Sequence, residues 1–156
     1  MKTLLILVGK TTNAHVAAII SDYQQRLGHY MPFEVTVIPE LKNTKSLTQQ
    51  QQKVAEGTLI LNKIQSSDTV VLLDEHGREL RSTELARWLA TVGQTSRRLV
   101  FVVGGAYGFS DAVYSRAQHQ LSLSRLTFSH QMVRMIFIEQ LYRACTILRG
   151  EPYHHE

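Results

Sequence analysis

Short apolar runs alternate along this chain with longer stretches in which apolar residues recur every three or four positions. Runs at Leu4–Val8, Phe33–Ile38, Thr69–Leu73 and Leu99–Val103, and a weaker one around Leu121–Ser124, read as strands. The first, third and fourth are nearly continuous in Val, Ile and Leu, which suits strands covered on both faces of a parallel sheet. Between them, helices are expected over Ala14–Leu27, Leu47–Ile64, Ser82–Val92 and Ser110–Ala117, then from about His130 to Arg149. In the last of these Met132, Val133, Ile136, Phe137, Leu141, Ala144, Cys145 and Leu148 form one apolar face, Ser129 is placed to cap the start, and Gly150 with Pro152 to stop it. The rhythm is that of an α/β fold. The polar run Lys42–Lys53 reads as a loop leading into a helix.

Length adds that 156 residues make about one domain. The apolar run after Met1-Lys2 stops at Gly9-Lys10, too short for an export signal, and no run approaches a membrane span. A single cysteine, Cys145, forms neither an internal disulfide nor a cysteine-based zinc site, so a cytoplasmic location is expected. The net charge of +4 is unevenly spread. Residues 1–75 balance seven Lys/Arg against seven Asp/Glu; the remainder sets ten cations, all arginine, against six acids. Arginine's planar fork suits phosphate contact and base stacking, whereas a solvated basic surface is the plainer reading of the same excess.

Several segments invite chemistry. Gly9-Lys10-Thr11-Thr12 follows a strand, but a phosphate-binding P-loop needs a glycine where Leu4 stands, so an ordinary turn is expected. Gly104-Gly105-Ala106-Tyr107-Gly108 lies between a strand and a helix that Ser110 caps; its lateness and spacing argue against a dinucleotide loop, while its glycines permit close backbone approach to a ligand. Asp74-Glu75-His76 sits at the carboxyl end of the third strand, a usual ligand position, yet is thin as a metal site. His130 and the closing Tyr153-His154 are candidate proton-handling residues.

The combination of Val103–Phe109, Leu121–Arg134, Glu139-Gln140-Leu141-Tyr142-Arg143-Ala144 and the closing Tyr153-His154, with the Val8-Gly9-Lys10 start and the total length, resembles the RlmH family of small SPOUT methyltransferases. The resemblance implies a parallel sheet flanked by helices with its C-terminal part threaded into a trefoil knot, and a homodimer. It also implies S-adenosyl-L-methionine as methyl donor and N3 of a pseudouridine in 23S ribosomal RNA, within the assembled ribosome, as acceptor. Carried over residue by residue, Leu73, Gly104, Leu123, Ser124, Arg125, Leu126, Thr127 and Phe128 would hold the donor, largely through backbone groups. His154 would accept the acceptor's proton or orient the base, Tyr153 would stack or hydrogen-bond nearby, and Arg143 would meet substrate phosphate. Arg134, nine residues earlier on the last helix, should face the other way and pack the knot or dimer. The sequence departs from the family pattern at His155, usually Arg or Lys, and at Phe109, commonly Leu. Two other readings compete: a non-catalytic RNA-binding or ribosome-associated module, and a metal-dependent nucleotide hydrolase using Asp74, Glu75 and His76.

Overall fold

Alternation along the buried strands sets up the whole architecture in the computed structural model, which describes residues 1–156. In β1 (Lys2–Val8), Leu5 and Leu7 point to one core, and Leu4, Ile6 and Val8 to another. The same division runs through β4 (Arg98–Val103), where Leu99, Phe101 and Val103 oppose Val100 and Val102. Strands with apolar groups on both faces need a layer of helices on each. With β2 (Phe33–Ile38), β3 (Thr69–Glu79) and β5 (His119–Ser122) they form one sheet, in the order β2-β1-β4-β3-β5, every neighbouring pair parallel.

On one face α1 (Ala14–Leu27), α3 (Ser82–Thr95) and α5 (His130–Leu148) cover the larger core; Phe101 and Phe137 stack there with ring centroids 4.8 Å apart. On the other, α2 (Gln49–Leu61) and α4 (Asp111–Arg116) close a smaller core through Ile60, Phe109 and Val113. The helices start where side-chain acceptors are available: Asn13, Thr48, Ser110 and Ser129 each take first-turn backbone N–H groups. Gly150, at φ +68°, follows the end of α5.

The helix expected over Leu47–Ile64 is shorter, beginning at Gln49 after a single 3₁₀ turn at Thr44–Ser46, because Thr48 and Gln51 form a capping box that fixes the start. The weak fifth strand is displaced to His119–Ser122, leaving residues 123–129 irregular. β3 differs most. Leu121 of β5 pairs with both Leu73 and Arg78, so Asp74–Gly77 are extruded from the ladder before the strand resumes. Gly77 permits the return: a Cβ there would lie 2.6–2.8 Å from the backbone of Gln120 and Leu121.

Arg134 is 2% exposed and bonds within its own chain. Its Nη1 donates to Gly9 C=O (2.8 Å) and Thr11 Oγ1 (3.0 Å), and its Nη2 to Val8 C=O (2.7 Å). Gln131, one turn earlier, accepts from Thr12 N–H (2.7 Å) and donates to Lys10 C=O (3.2 Å). The first turns of α5 thus grip the turn after β1, which is the ordinary turn expected at Gly9-Lys10. No helix is long and apolar enough to cross a membrane.

Candidate active site

A cavity of about 420 Å³ opens at the carboxyl ends of β3, β4 and β5, within the usual size of small-molecule sites. Three irregular segments wall it, each following one of these strands: the extruded Asp74–His76 turn, the Gly104–Gly108 loop, and residues 122–128. Val133 and His130 from the start of α5 complete it.

Of the expected donor-site residues, Leu73, Gly104, Leu123, Ser124, Leu126, Thr127 and Phe128 all line this cavity. Arg125 does not. Its side chain is 89% exposed and turned outward, with Nε donating to Glu79 Oε1 at 2.9 Å. Short-range ties shape the 122–128 segment: Ser122 Oγ donates to Ser124 C=O (3.0 Å) and Leu126 N–H to Ser124 Oγ (3.0 Å). In the glycine loop Gly108 N–H donates to Gly105 C=O (3.2 Å), and Gly108 sits at φ +81°, which a side chain would strain. Gly104 is needed for a different reason, since a Cβ would press within 3.0–3.4 Å of the Phe109 ring.

Asp74 holds the extruded turn in place. It accepts from the Tyr114 hydroxyl of α4 and from His76 N–H (2.8 Å). Burial, with the Asp74 carboxylate beside it, pushes the Tyr114 hydroxyl well above the usual phenol range. Tyr114 meets the edge of Phe109 (5.7 Å, 84°), so one wall runs from Asp74 through Tyr114 and Phe109 to Gly104. Both Asp74 oxygens are thereby committed to structural bonds, and no group of three or more His, Cys, Asp or Glu is placed to hold a metal ion.

The tail residues form a second cluster, away from the cavity lining, between α1 and α5. Tyr153 Oη is 2.9 Å from Tyr23 Oη and donates to Glu139 Oε1 at 2.9 Å. Arg143 Nη2 donates to Glu139 Oε1 (2.7 Å), its guanidinium lies over the Tyr153 ring (4.8 Å), and its Nη1 donates to His154 Nδ1 (3.1 Å). Guanidinium has no acceptor capacity, so Nδ1 is the unprotonated nitrogen and neutral His154 carries its proton on Nε2. That nitrogen is 3.5 Å from Glu156 Oε1 and makes no hydrogen bond. Tyr30 donates to Glu151 Oε2 (2.5 Å) and anchors the turn before the tail. Arg134 and Arg143 do face different ways, one into the buried end of β1 and the other toward the tail.

Sequence reasoning missed Tyr114, which lines the cavity and holds Asp74, and Glu139, Tyr23 and Tyr30, which hold the tail and the turn before it. Tyr23 and Tyr30 carried a signal in hindsight, as aromatic residues on the polar flank of α1 and just beyond it.

The cavity joins apolar groups of Leu73, Val103, Leu123 and Leu126 to polar ones of Asp74, Glu75, His76 and His130, and comparisons with known proteins identify the family. The family model described as "Predicted SPOUT methyltransferase" matches residues 1–154. Proteins named ribosomal RNA large subunit methyltransferase H are similar over full length. Those of Bacteroides fragilis and Bacteroides thetaiotaomicron are 57% and 55% identical, and that of Flavobacterium johnsoniae 49%, each match covering 100% of both chains. The chain belongs to the SPOUT methyltransferase family, within its RlmH branch.

Proposed function

We propose that this protein methylates N3 of a pseudouridine in 23S ribosomal RNA, on the assembled ribosome, using S-adenosyl-L-methionine bound in the cavity. The observation that carries the reading is the cavity itself: seven residues singled out for donor binding converge there from three separate segments of chain. Leu73, Leu123 and Leu126 would flank the adenine, and the backbone of Gly104 and of residues 123–128 would supply its polar contacts. Bound there, the donor supplies an electrophilic methyl group on a sulfonium. The chain's own contribution is chiefly to hold methyl and acceptor nitrogen in line.

The whole chain acts as one cytoplasmic domain, a homodimer whose C-terminal segments thread a trefoil knot. In the single chain the tail does not reach the cavity, which supports a site completed across the dimer. Tyr153, His154 and Arg143 are its acceptor side. With its proton on Nε2, His154 is set up to donate to a carbonyl oxygen of the target imide. Such a bond stabilises the charge that develops as N3 gives up its proton to solvent water and takes the methyl group. This favours an orienting role over the expectation that His154 itself takes the proton, which requires the other tautomer. Arg143 fixes that tautomer and meets substrate phosphate; Tyr153 keeps the tail folded.

The test is methyl transfer from labelled donor to ribosomes lacking the modification. Wild type should label 23S RNA at one pseudouridine, and His154→Ala should fall by about 10²-fold. Naked RNA of the same sequence should be a poor acceptor, as expected if the ribosome presents a folded shape. Full methylation by His154→Ala with unchanged RNA affinity would defeat the role given to the tail.

A further inference from the structure

Glu56 is a buried acid that the reaction as described does not use. It lies on α2, across the sheet from the tail, and is 7% exposed. Asp68, the other buried acid, is neutralised by Arg98 at 2.6 Å. Glu56 has no such cation: Gln52 Nε2 donates to its Oε2 at 3.4 Å, and the other charged groups facing it are His130 of α5 and Glu40 after β2. Burial raises its pKa, Glu40 acts in the same direction, and Gln52 and His130 oppose them. Burying a carboxyl with one long hydrogen bond is unfavourable in itself. Its own stability therefore does not account for a long polar side chain here.

Its position does. A Cβ on Gly105 would lie 2.3 Å from Glu56 Oε1, 2.9 Å from Cδ and 3.0 Å from Oε2, so the carboxyl lies against the bare Cα of the glycine loop. The next residue, Gly57, repeats the close approach at the other end of that loop. A Cβ there would be 2.4 Å from Oγ of Ser110, which caps α4. One turn of α2 thus backs the Gly105–Ser110 segment at both ends, on the side away from the cavity.

We propose that Glu56 is a positioning residue for the donor site, its carboxyl fixing the backbone of Gly104–Gly108 through contact with Gly105. The proposal rests on the cavity being the donor site. Glu56 does not line the cavity and acts only through the loop.

Calorimetric titration of the full-length protein with S-adenosylmethionine, together with kcat and donor KM on ribosomes and thermal melts, tests it. Glu56→Ala should raise donor Kd and KM by about tenfold while kcat at saturating donor stays within about threefold, because the loop seats the donor and not the acceptor. Glu56→Gln, which keeps the shape, should bind within about twofold of wild type. Gly105→Ala should lose about tenfold as its methyl meets the carboxyl, and Glu56→Ala combined with Gly105→Ala should bind more tightly than Gly105→Ala alone, since removing the carboxyl relieves the clash and the methyl takes up part of the space it leaves. Should Glu56→Ala fail to fold, Glu56→Asp, which withdraws the carboxyl by one methylene, carries the same expectation. Unchanged affinity in Glu56→Ala, or a double variant no better than Gly105→Ala, overturns the proposal. Failure of wild type to bind millimolar donor would instead overturn the cavity assignment and this proposal with it.

Discussion

Arg134→Lys is the substitution whose cost follows most directly from the geometry. The guanidinium bridges three oxygens, Val8 C=O, Gly9 C=O and Thr11 Oγ1, at 2.7–3.0 Å. An ammonium is a point donor on a differently shaped stem and reaches one of these at a time. Two charge-assisted bonds are lost, each contributing about 1.5–3 kcal/mol. The burial of a positive charge is not relieved in compensation, since lysine carries the same charge into the same place. A loss of at least about 3 kcal/mol is expected. For a chain of this size that lowers Tm by roughly 6–12 °C. Thermal and urea unfolding at one fixed protein concentration measure it, because the proposed dimer would make stability concentration-dependent. Donor affinity should fall as well, as Val133 and His130 of the same helix turn wall the cavity. A destabilisation below about 1 kcal/mol would refute the view that Arg134 ties α5 to β1.

Other outcomes follow from single contacts. Phe101→Ala, at the centre of the larger core, should cost about 3–5 kcal/mol by chemical denaturation. His119 packs on Trp88 (5.4 Å), and burial lowers its pKa, so the unfolded state binds the proton more readily. Stability should therefore fall as pH drops below about 6.5, and His119→Gln should flatten that part of a pH–stability curve. Burial pushes the Cys145 thiol up to about 11, so a thiol reagent at pH 8 should react only as fast as the protein unfolds. Tyr153→Phe removes the bonds to Tyr23 and Glu139 and should lower methylation about tenfold or more with donor affinity unchanged, as read by calorimetry beside the ribosome assay.

Local signals were enough for much of the fold. The α1 boundaries match the reading because Asn13 and the apolar spacing are short-range features, and β2 matches for the same reason. The extrusion of Asp74–Gly77 was not legible, because it depends on Leu121 pairing twice across a sequence separation that no local pattern encodes. The shift of β5 has the same origin: β3 selects His119–Ser122, and the apolar residues at 121 and 123 do not decide the register. At the site, the glycine loop was visible as composition. Segment 123–128, which lines the cavity, was singled out for a donor role only through family resemblance, because no side-chain type in it marks such a site. Arg125 shows the limit of that carry-over, lying inside the segment with its side chain turned to solvent. Helical phase separated Arg134 from Arg143 in the sequence, but its three partners, oxygens more than a hundred residues away, were not legible there.

Mass mapping of 23S RNA reads the proposed methyl transfer at a single ribosomal position. Ribosomes lacking the modification are incubated with the protein and S-adenosylmethionine, and the RNA is digested and mapped. One added methyl group is expected, on N3 of a single pseudouridine, dependent on His154. A 23S RNA left unmodified by protein that binds the donor, or methylated elsewhere, would contradict it.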